Sequence, residues 1–149
     1  MNPSTQPMPV LFTPRPGLCA CGQPAPGAWR ALAHAGIRTV VNLRPDDELP
    51  DRDEATEVAE AGMNYVHIPV RDANDLCRSA AERLHQVLVQ SPSTVLVHCG
   101  TANRAGALIA LADAWCGSGQ VENALAMGRD AGMVGLEPAV RALLRCSDA

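Results

Sequence analysis

The sequence predicts a single-domain α/β fold with a central, mostly parallel sheet of four or five strands and helices on both faces. Three observations predict it. Runs rich in branched apolar residues alternate with segments of helical periodicity, and the connections between them are short. The last strand and the helix that follows it are apolar nearly throughout, which is typical of elements covered on both sides. A chain of 149 residues has room for one domain with a substantial core.

The elements follow one another in a regular order. Residues 1–16 are rich in proline and poor in core-type residues, so we expect a flexible N-terminal arm there, with the domain over residues 17–149. A glycine follows each of the first two predicted helices, and glycine is the residue most often found directly after a helix. The predicted elements are a strand from Leu18, a helix over Pro26–Ala35, a strand over Ile37–Leu43, a helix over Asp53–Ala61, a strand over Met63–Val70, a helix capped by Asn74 or Asp75 that ends before Ser91, a strand over Thr94–His98, and helices from Arg104 to about Cys116, near Val121–Ala131 and near Glu137–Arg145.

Composition excludes several classes of function. The net charge is −4, all twelve basic residues are scattered arginines, and aromatic residues make up 3%, so nucleic-acid binding is not expected. No apolar run approaches the roughly 20 residues of a membrane span, and no signal-peptide pattern opens the chain. The six cysteines are unevenly spaced, and Cys19 and Cys21 have no partner ligands nearby. We therefore expect a cytoplasmic protein without a metal or organic cofactor.

The stretch from Val95 to Gly106 is where the sequence points to chemistry. His98 and Cys99 follow the last strand, four residues come next, and Arg104 opens the apolar helix. A tight loop between a strand and a helix N-terminus can bind an anion through its backbone N–H groups. A thiol there often has a pKa of about 3.5–7.5, and an arginine fork can grip two oxygens of an oxyanion. The alternative is that Cys99 is a core residue, as free cysteines usually are.

Two further loops carry acidic side chains. Asp72 comes two residues after the predicted strand Met63–Val70. Because the carboxyl ends of parallel strands meet at one edge of a sheet, its loop is expected to meet the Cys99 loop. The run Asp46–Glu48 is predicted to be a solvated surface, with a loop that faces the substrate or regulates the site as the alternative.

The run His98-Cys99-Gly100-Thr101-Ala102-Asn103-Arg104 resembles the phosphate loop of cysteine-dependent phosphatases, the protein tyrosine and dual-specificity phosphatase superfamily. Three other segments look like the framework of the phosphatase-like domain in the bacterial beta-lactamase-hydrolase-like group: Gly22–Pro24, Arg38–Arg44 and Tyr65–Val70. The resemblance covers roughly Leu18 to Glu137. It implies a phosphatase-like catalytic domain that works through a phosphocysteine intermediate.

The resemblance also implies a role for each site residue. Cys99 would be the nucleophile that attacks phosphorus, and His98 would brace the loop and tune the thiolate, unless its role is structural only. Asp72 would protonate the leaving oxygen, a step that contributes about 10²–10⁴-fold in rate. Asp75 is the alternative acid, although it could instead cap a helix. The phosphate oxygens would be bound by backbone N–H groups and by the arginine fork, which together involve Gly100, Thr101, Ala102, Asn103 and Arg104.

Two features depart from the usual pattern of that superfamily. Four residues separate Cys99 from Arg104 instead of five, and Ala105 stands where a Ser or Thr hydroxyl is usual. The short spacing also resembles the active loop of rhodanese sulfurtransferases, in which Cys99 would carry a persulfide. Three hypotheses stay open: a phosphatase, which the sequence favours, a sulfurtransferase, and a non-catalytic module that binds phosphate or other anions. The expected partner is a phosphorylated small molecule or phosphoprotein, and the sequence leaves its identity and the oligomeric state open.

Overall fold

A computed structural model describes residues 8–146 of the chain. Within these residues five strands form one sheet in the order β1-β2-β5-β3-β4, in which β1 is antiparallel to β2 and the other neighbours are parallel. The strands are β1 Phe12–Arg15, β2 Leu18–Cys21, β3 Ile37–Asn42, β4 Asn64–His67 and β5 Thr94–His98. The predicted α/β class with a mostly parallel sheet is confirmed.

Helices cover both faces of this sheet, as predicted. In the described part of the chain they are α1 Trp29–His34, α2 Glu54–Glu60, α3 Arg78–Gln90, α4 Asn103–Cys116, α5 Val121–Asp130 and α6 Glu137–Cys146. On one face, Trp29 and Leu32 of α1 and Val58 of α2 pack against Val40 of β3 and Leu96 of β5. The two helices therefore cover the strands at the centre of the sheet.

The opposite face is covered by the four helices α3 to α6. Helix α4 is central to this layer, and every residue from Ala105 to Ala112 is buried. Around it pack Leu84 of α3, Leu125 of α5 and Val140 of α6, together with Val97 of β5. Packing on all sides from Ala105 onward therefore fixes the position of α4 at the end of β5.

The structure corrects the predicted N-terminal arm. Residues 12–15 are not a flexible arm but form β1, which pairs with β2 through a turn at Gly17 that adopts a φ of +83°. An edge strand tolerates proline, because the N–H that proline lacks can face away from the sheet. Residues 1–7 lie outside the described part of the chain.

Two predicted boundaries near β4 are also wrong. The strand ends at His67 and does not reach Val70, although the N–H groups of Ile68 and Val70 still donate to the carbonyls of Asn42 and Leu43. Helix α3 begins at Arg78 with Cys77 as its N-cap, so neither Asn74 nor Asp75 caps it.

Candidate active site

The loop that follows β5 is fastened to the end of β2. The N–H of Cys99 donates to the Cys21 carbonyl at 3.4 Å, and the N–H of Gln23 donates to the Gly100 carbonyl at 3.3 Å. A Cβ atom on Gly22 would lie 2.8 Å from the Gly100 carbonyl oxygen. Only glycine therefore fits at position 22 without a shift of the loop.

The second half of the loop turns sharply into α4. Ala102 adopts a left-handed conformation with φ 78° and ψ −11°, and it gives α4 no side-chain cap. A Cβ atom on Gly132 would lie 2.7 Å from the Cβ of Ala102, so the turn after α5 closes tightly behind the loop. Asn103 accepts the Val134 N–H on its Oδ1 at 2.8 Å, which fixes that turn to the loop. The first N–H groups of α4 thus have no side-chain acceptor at the N-cap, an arrangement suited to an anion.

Two groups outside the loop fix the Arg104 guanidinium. Nη1 donates to Glu48 Oε2 and to the Val70 carbonyl, each at 2.9 Å, and Nη2 donates to Glu48 Oε1 at 2.9 Å. These bonds use both hydrogens of Nη1 and one of Nη2, out of the five N–H groups of an arginine. The two hydrogens without these partners, on Nη2 and Nε, lie along one edge of the planar group, where an oxyanion can accept two parallel hydrogen bonds. The bond to Val70 also confirms that the loop after β4 meets the Cys99 loop.

Glu48 therefore contacts the candidate site, which fits the alternative prediction for the run Asp46–Glu48 and not the favoured one of a solvated surface. Its side chain is 22% exposed, whereas Asp46 is 98% exposed and Asp47 is 66% exposed. Hydrogen bonding to Arg104 is the main reason that the pKa of Glu48 is lowered, and Arg44 contributes through a bond of 3.1 Å from its Nε. In return, Glu48 raises the pKa of Arg104, which stays cationic.

The Cys99 side chain is buried. The residue is 0% exposed, and its sulfur is close enough to Arg104 to add to the rise in the pKa of that guanidinium, after the contribution of Glu48. The neighbouring thiol of Cys21 has its pKa raised to about 12, first by burial and then by Cys99. Of these two thiols, Cys99 is therefore the one that faces a fixed cation.

Behind the loop, His98 is buried and forms a contact with a second carboxylate. Its Nε2 lies 2.6 Å from Oε2 of Glu54, the first residue of α2. The other oxygen of Glu54 accepts a hydrogen bond from Gln23 Nε2 at 2.8 Å. The Trp29 ring packs on the imidazole with 5.9 Å between ring centroids. The imidazole is thus fixed in place directly before Cys99.

The two candidate acids lie in the exposed loop after β4. Asp72 accepts the Asn74 N–H on Oδ1 at 2.9 Å, and Asp75 accepts the Arg71 N–H on Oδ2 at 2.8 Å. Each carboxylate thereby keeps a second oxygen that neither of these bonds uses. No hydrogen bond within residues 8–146 joins Asp72 to the Cys99 loop, so its role as an acid stays a prediction.

Sequence reasoning did not single out Glu48 or Glu54 as a member of the site, although a loop that faces the site was the alternative for the run Asp46–Glu48. Each acidic residue lies in a segment with other carboxylates, and nothing in the local pattern distinguishes it from its exposed neighbours. Burial distinguishes Glu54, which is 7% exposed although it opens a helix. Only the three-dimensional structure supplies that signal.

The described residues contain no group of three or more His, Cys, Asp or Glu side chains arranged to hold a metal ion. Among the helices of residues 8–146, none combines the length and apolar character needed to cross a bilayer.

Comparisons with known proteins point to one family. A family model for Tc-R-P, described as "Polymorphic toxin system, DSP-PTPase phosphatase", matches residues 17–118. The chain is 31% identical over 100 residues to the Beta-lactamase hydrolase-like protein of Xylella fastidiosa (strain Temecula1 / ATCC 700964), an alignment that covers 64% of this chain and 23% of that protein. The chain thus spans about a quarter of the length of that curated relative.

Solved structures share the fold over nearly the whole chain. A DUF442 protein of Shewanella putrefaciens CN-32 has a TM-score of 0.72 and 30% identity, covering 92% of this chain and 87% of that one. Tk-PTP in its active form has a TM-score of 0.71 over 99% of both chains, and at 21% identity it supports the fold alone.

Proposed function

This chain belongs to the Tc-R-P family, the DSP-PTPase phosphatases of polymorphic toxin systems, and we propose that it hydrolyses phosphate monoesters through a phosphocysteine on Cys99. One observation carries the proposal. The Arg104 guanidinium is fixed from outside by Glu48 and Val70, and none of these bonds uses its Nη2–Nε edge, which can clamp an oxyanion beside Cys99. A thiol nucleophile and a pre-oriented anion clamp are the two parts that phosphoryl transfer through cysteine requires.

The reaction proceeds in two displacements. The Cys99 thiolate attacks phosphorus, the bond from phosphorus to the ester oxygen breaks, and Asp72 gives its proton to the departing alcohol. Water then attacks phosphorus, the P–S bond breaks, and the proton of that water returns to Asp72, so that inorganic phosphate leaves and the enzyme is restored. Arg104 and the N–H groups from Gly100 onward bind the equatorial oxygens in both steps.

Ala105 bears on the second step. It is buried at the start of α4, where it has no hydroxyl to donate a hydrogen bond to the departing thiolate. We expect the breakdown of the phosphocysteine to be the slow step, so that phosphoenzyme accumulates during turnover. Rapid acid quenching followed by mass spectrometry of the Cys99 peptide measures that accumulation.

Parallel assays of the wild type and Cys99→Ser test the function. One assay follows phosphate release from an aryl phosphate, and the other follows thiocyanate formation from thiosulfate and cyanide. Cys116→Ser, at the far end of α4, is the matched control and keeps wild-type activity. Phosphate release that disappears in Cys99→Ser alone supports the proposal. Phosphate release that persists in Cys99→Ser, or thiocyanate formation without phosphate release, overturns it.

A module that only binds anions gives a third pattern. It would be silent in both assays and yet bind orthovanadate or tungstate in wild-type and Cys99→Ser protein alike. This result would also contradict the proposed turnover. The assays therefore separate the three hypotheses that the sequence left open.

A further inference from the structure

The buried carboxylate of Glu54 is not explained by the two-step reaction. A carboxylate that is 7% exposed is costly unless it is paired and hydrogen-bonded. Here both oxygens are used, Oε2 by His98 Nε2 at 2.6 Å and Oε1 by Gln23 Nε2 at 2.8 Å. Because Gln23 also bonds the loop through its backbone N–H, these residues connect α2 to the Cys99 loop.

The imidazole of His98 faces an acceptor on each side. The Glu54 carboxylate lies at Nε2, and the Cys99 carbonyl lies 3.5 Å from Nδ1. A neutral imidazole carries one N–H and can donate to only one of them, whereas the imidazolium donates to both. The hydrogen-bond pattern therefore fits His98 in its cationic form.

We propose that Glu54 is a positioning residue that holds His98 as an imidazolium and thereby raises the thiolate fraction of Cys99. This inference rests on the proposed function, in which Cys99 is the nucleophile. The ring lies between the carboxylate and the Cys99 carbonyl, so its positive charge is nearer to the loop backbone than the negative charge of Glu54. Of two opposite charges, the nearer one has the larger effect on the loop and on the thiol that it carries.

Three ionisable groups around the pair stay in one charge state near neutral pH. Burial raises the pKa of Cys21 on β2 to about 12, and burial likewise raises the pKa of Tyr65 on β4, so both are neutral. Arg104 stays cationic because of its bond to Glu48. Three other residues lie around the pair. They are Cys19 of β2, Trp29 of α1, and Asn42 of β3, which is paired in register with His98. Among these groups, His98 is therefore the one whose proton, and with it the positive charge, the Glu54 variants are expected to change.

Substituting Glu54 gives opposite results under the two possible roles. If the carboxylate acted on the thiol only as a nearby negative charge, its removal would increase the thiolate fraction. If it holds the imidazolium, Glu54→Gln leaves His98 neutral and decreases the thiolate fraction. The sign of the change alone therefore decides between the roles, whatever its size.

The experiment measures the pH dependence of Cys99 alkylation by iodoacetamide, quantified by mass spectrometry of the Cys99 peptide. For Glu54→Gln we expect the midpoint to rise by about one pH unit, and for Glu54→Asp, which keeps the charge, we expect a midpoint closer to the wild type. Glu57→Gln is the matched control, because it lies one turn further along α2 and bonds Trp29 and Arg52 instead of His98. We expect Glu57→Gln to lower the melting temperature without moving the midpoint.

An unchanged or lowered midpoint in Glu54→Gln, whatever happens to the melting temperature, overturns the inference. If Glu54→Gln does not fold, His98→Gln serves as the second variant, because it removes the imidazolium while its amide can still donate to Glu54, and it should raise the midpoint. An unchanged midpoint there overturns the inference equally. The readout needs no turnover, so it stands apart from the phosphate-release assay of Cys99→Ser, whose failure would count against the proposed function instead.

Discussion

The ion pair between Glu48 and Arg104 offers the sharpest test of how this site works. If Glu48 orients the arginine, its removal should weaken phosphate binding and catalysis. If it only competes with phosphate for the guanidinium, its removal should strengthen both. The structure favours orientation, since Glu48 takes the Nη1 and Nη2 hydrogens at one end of the group and leaves the Nη2–Nε edge to the substrate.

The magnitude follows from the hydrogen bonds lost. A hydrogen bond to a charged group contributes about 1.5–3 kcal/mol, and both side chains are sheltered, at 17% and 22% exposed. Glu48→Gln keeps one acceptor oxygen, so the orientation of Arg104 should lose about 1.5–2 kcal/mol, or about 10- to 30-fold in kcat/KM. Glu48→Ala removes both bonds and should cost about 3 kcal/mol, or about 100-fold.

The assay is steady-state hydrolysis of an aryl phosphate, with the inhibition constant of orthovanadate as a separate measure of binding. Asp47→Asn is the control, because it makes the same acid-to-amide change one position away, in a pair with Arg71 whose side chains are 66% and 53% exposed. Exposed pairs contribute about 0–1 kcal/mol, so this variant should stay within about fivefold of the wild type. A kcat/KM for Glu48→Gln equal to or above that of the wild type would refute the orienting role.

Three further predictions concern the leaving group and the backbone around the loop. Asp72→Asn should slow hydrolysis of alkyl phosphates by about 10²–10⁴-fold and affect aryl phosphates with good leaving groups much less. In Asp75→Asn the rate should not depend on the leaving group in this way. The reverse result would make Asp75 the acid. Gly22→Ala should lower kcat/KM with little loss of folding, because its Cβ would meet the Gly100 carbonyl oxygen at 2.8 Å and displace the loop, so kinetics unchanged from the wild type would contradict the tight approach. Gly106→Ala should lower the free energy of unfolding by about 3 kcal/mol or more, because its Cβ would lie 2.5 Å from a carbonyl oxygen of α5. Urea titration measures this free energy, and a decrease below about 1 kcal/mol would contradict the prediction.

The amount of structure that could be predicted differs between the fold and the site. Strand β2, strand β5 and the buried helix α4 were predictable because their apolar runs are local patterns that match the period of each element. The arm was mispredicted at Phe12, whose strand depends on pairing with β2 and not on its own proline-rich sequence. The site was predicted at Cys99 and Arg104 because the loop that carries them is continuous in sequence.

The sequence by itself determined the α/β class and the position of the candidate loop, with Cys99 at its start and Arg104 at the opening of α4, since each depends on residues within a few positions of one another. The tertiary structure decided which carboxylates serve that loop. Glu48 reaches Arg104 across 56 positions and Glu54 reaches His98 across 44. These contacts exist because β3 lies beside β5 in the sheet, so the segment that follows β3 lies next to the loop that follows β5. Pairing between distant strands follows from the packing of the whole core, which no local pattern of charges records.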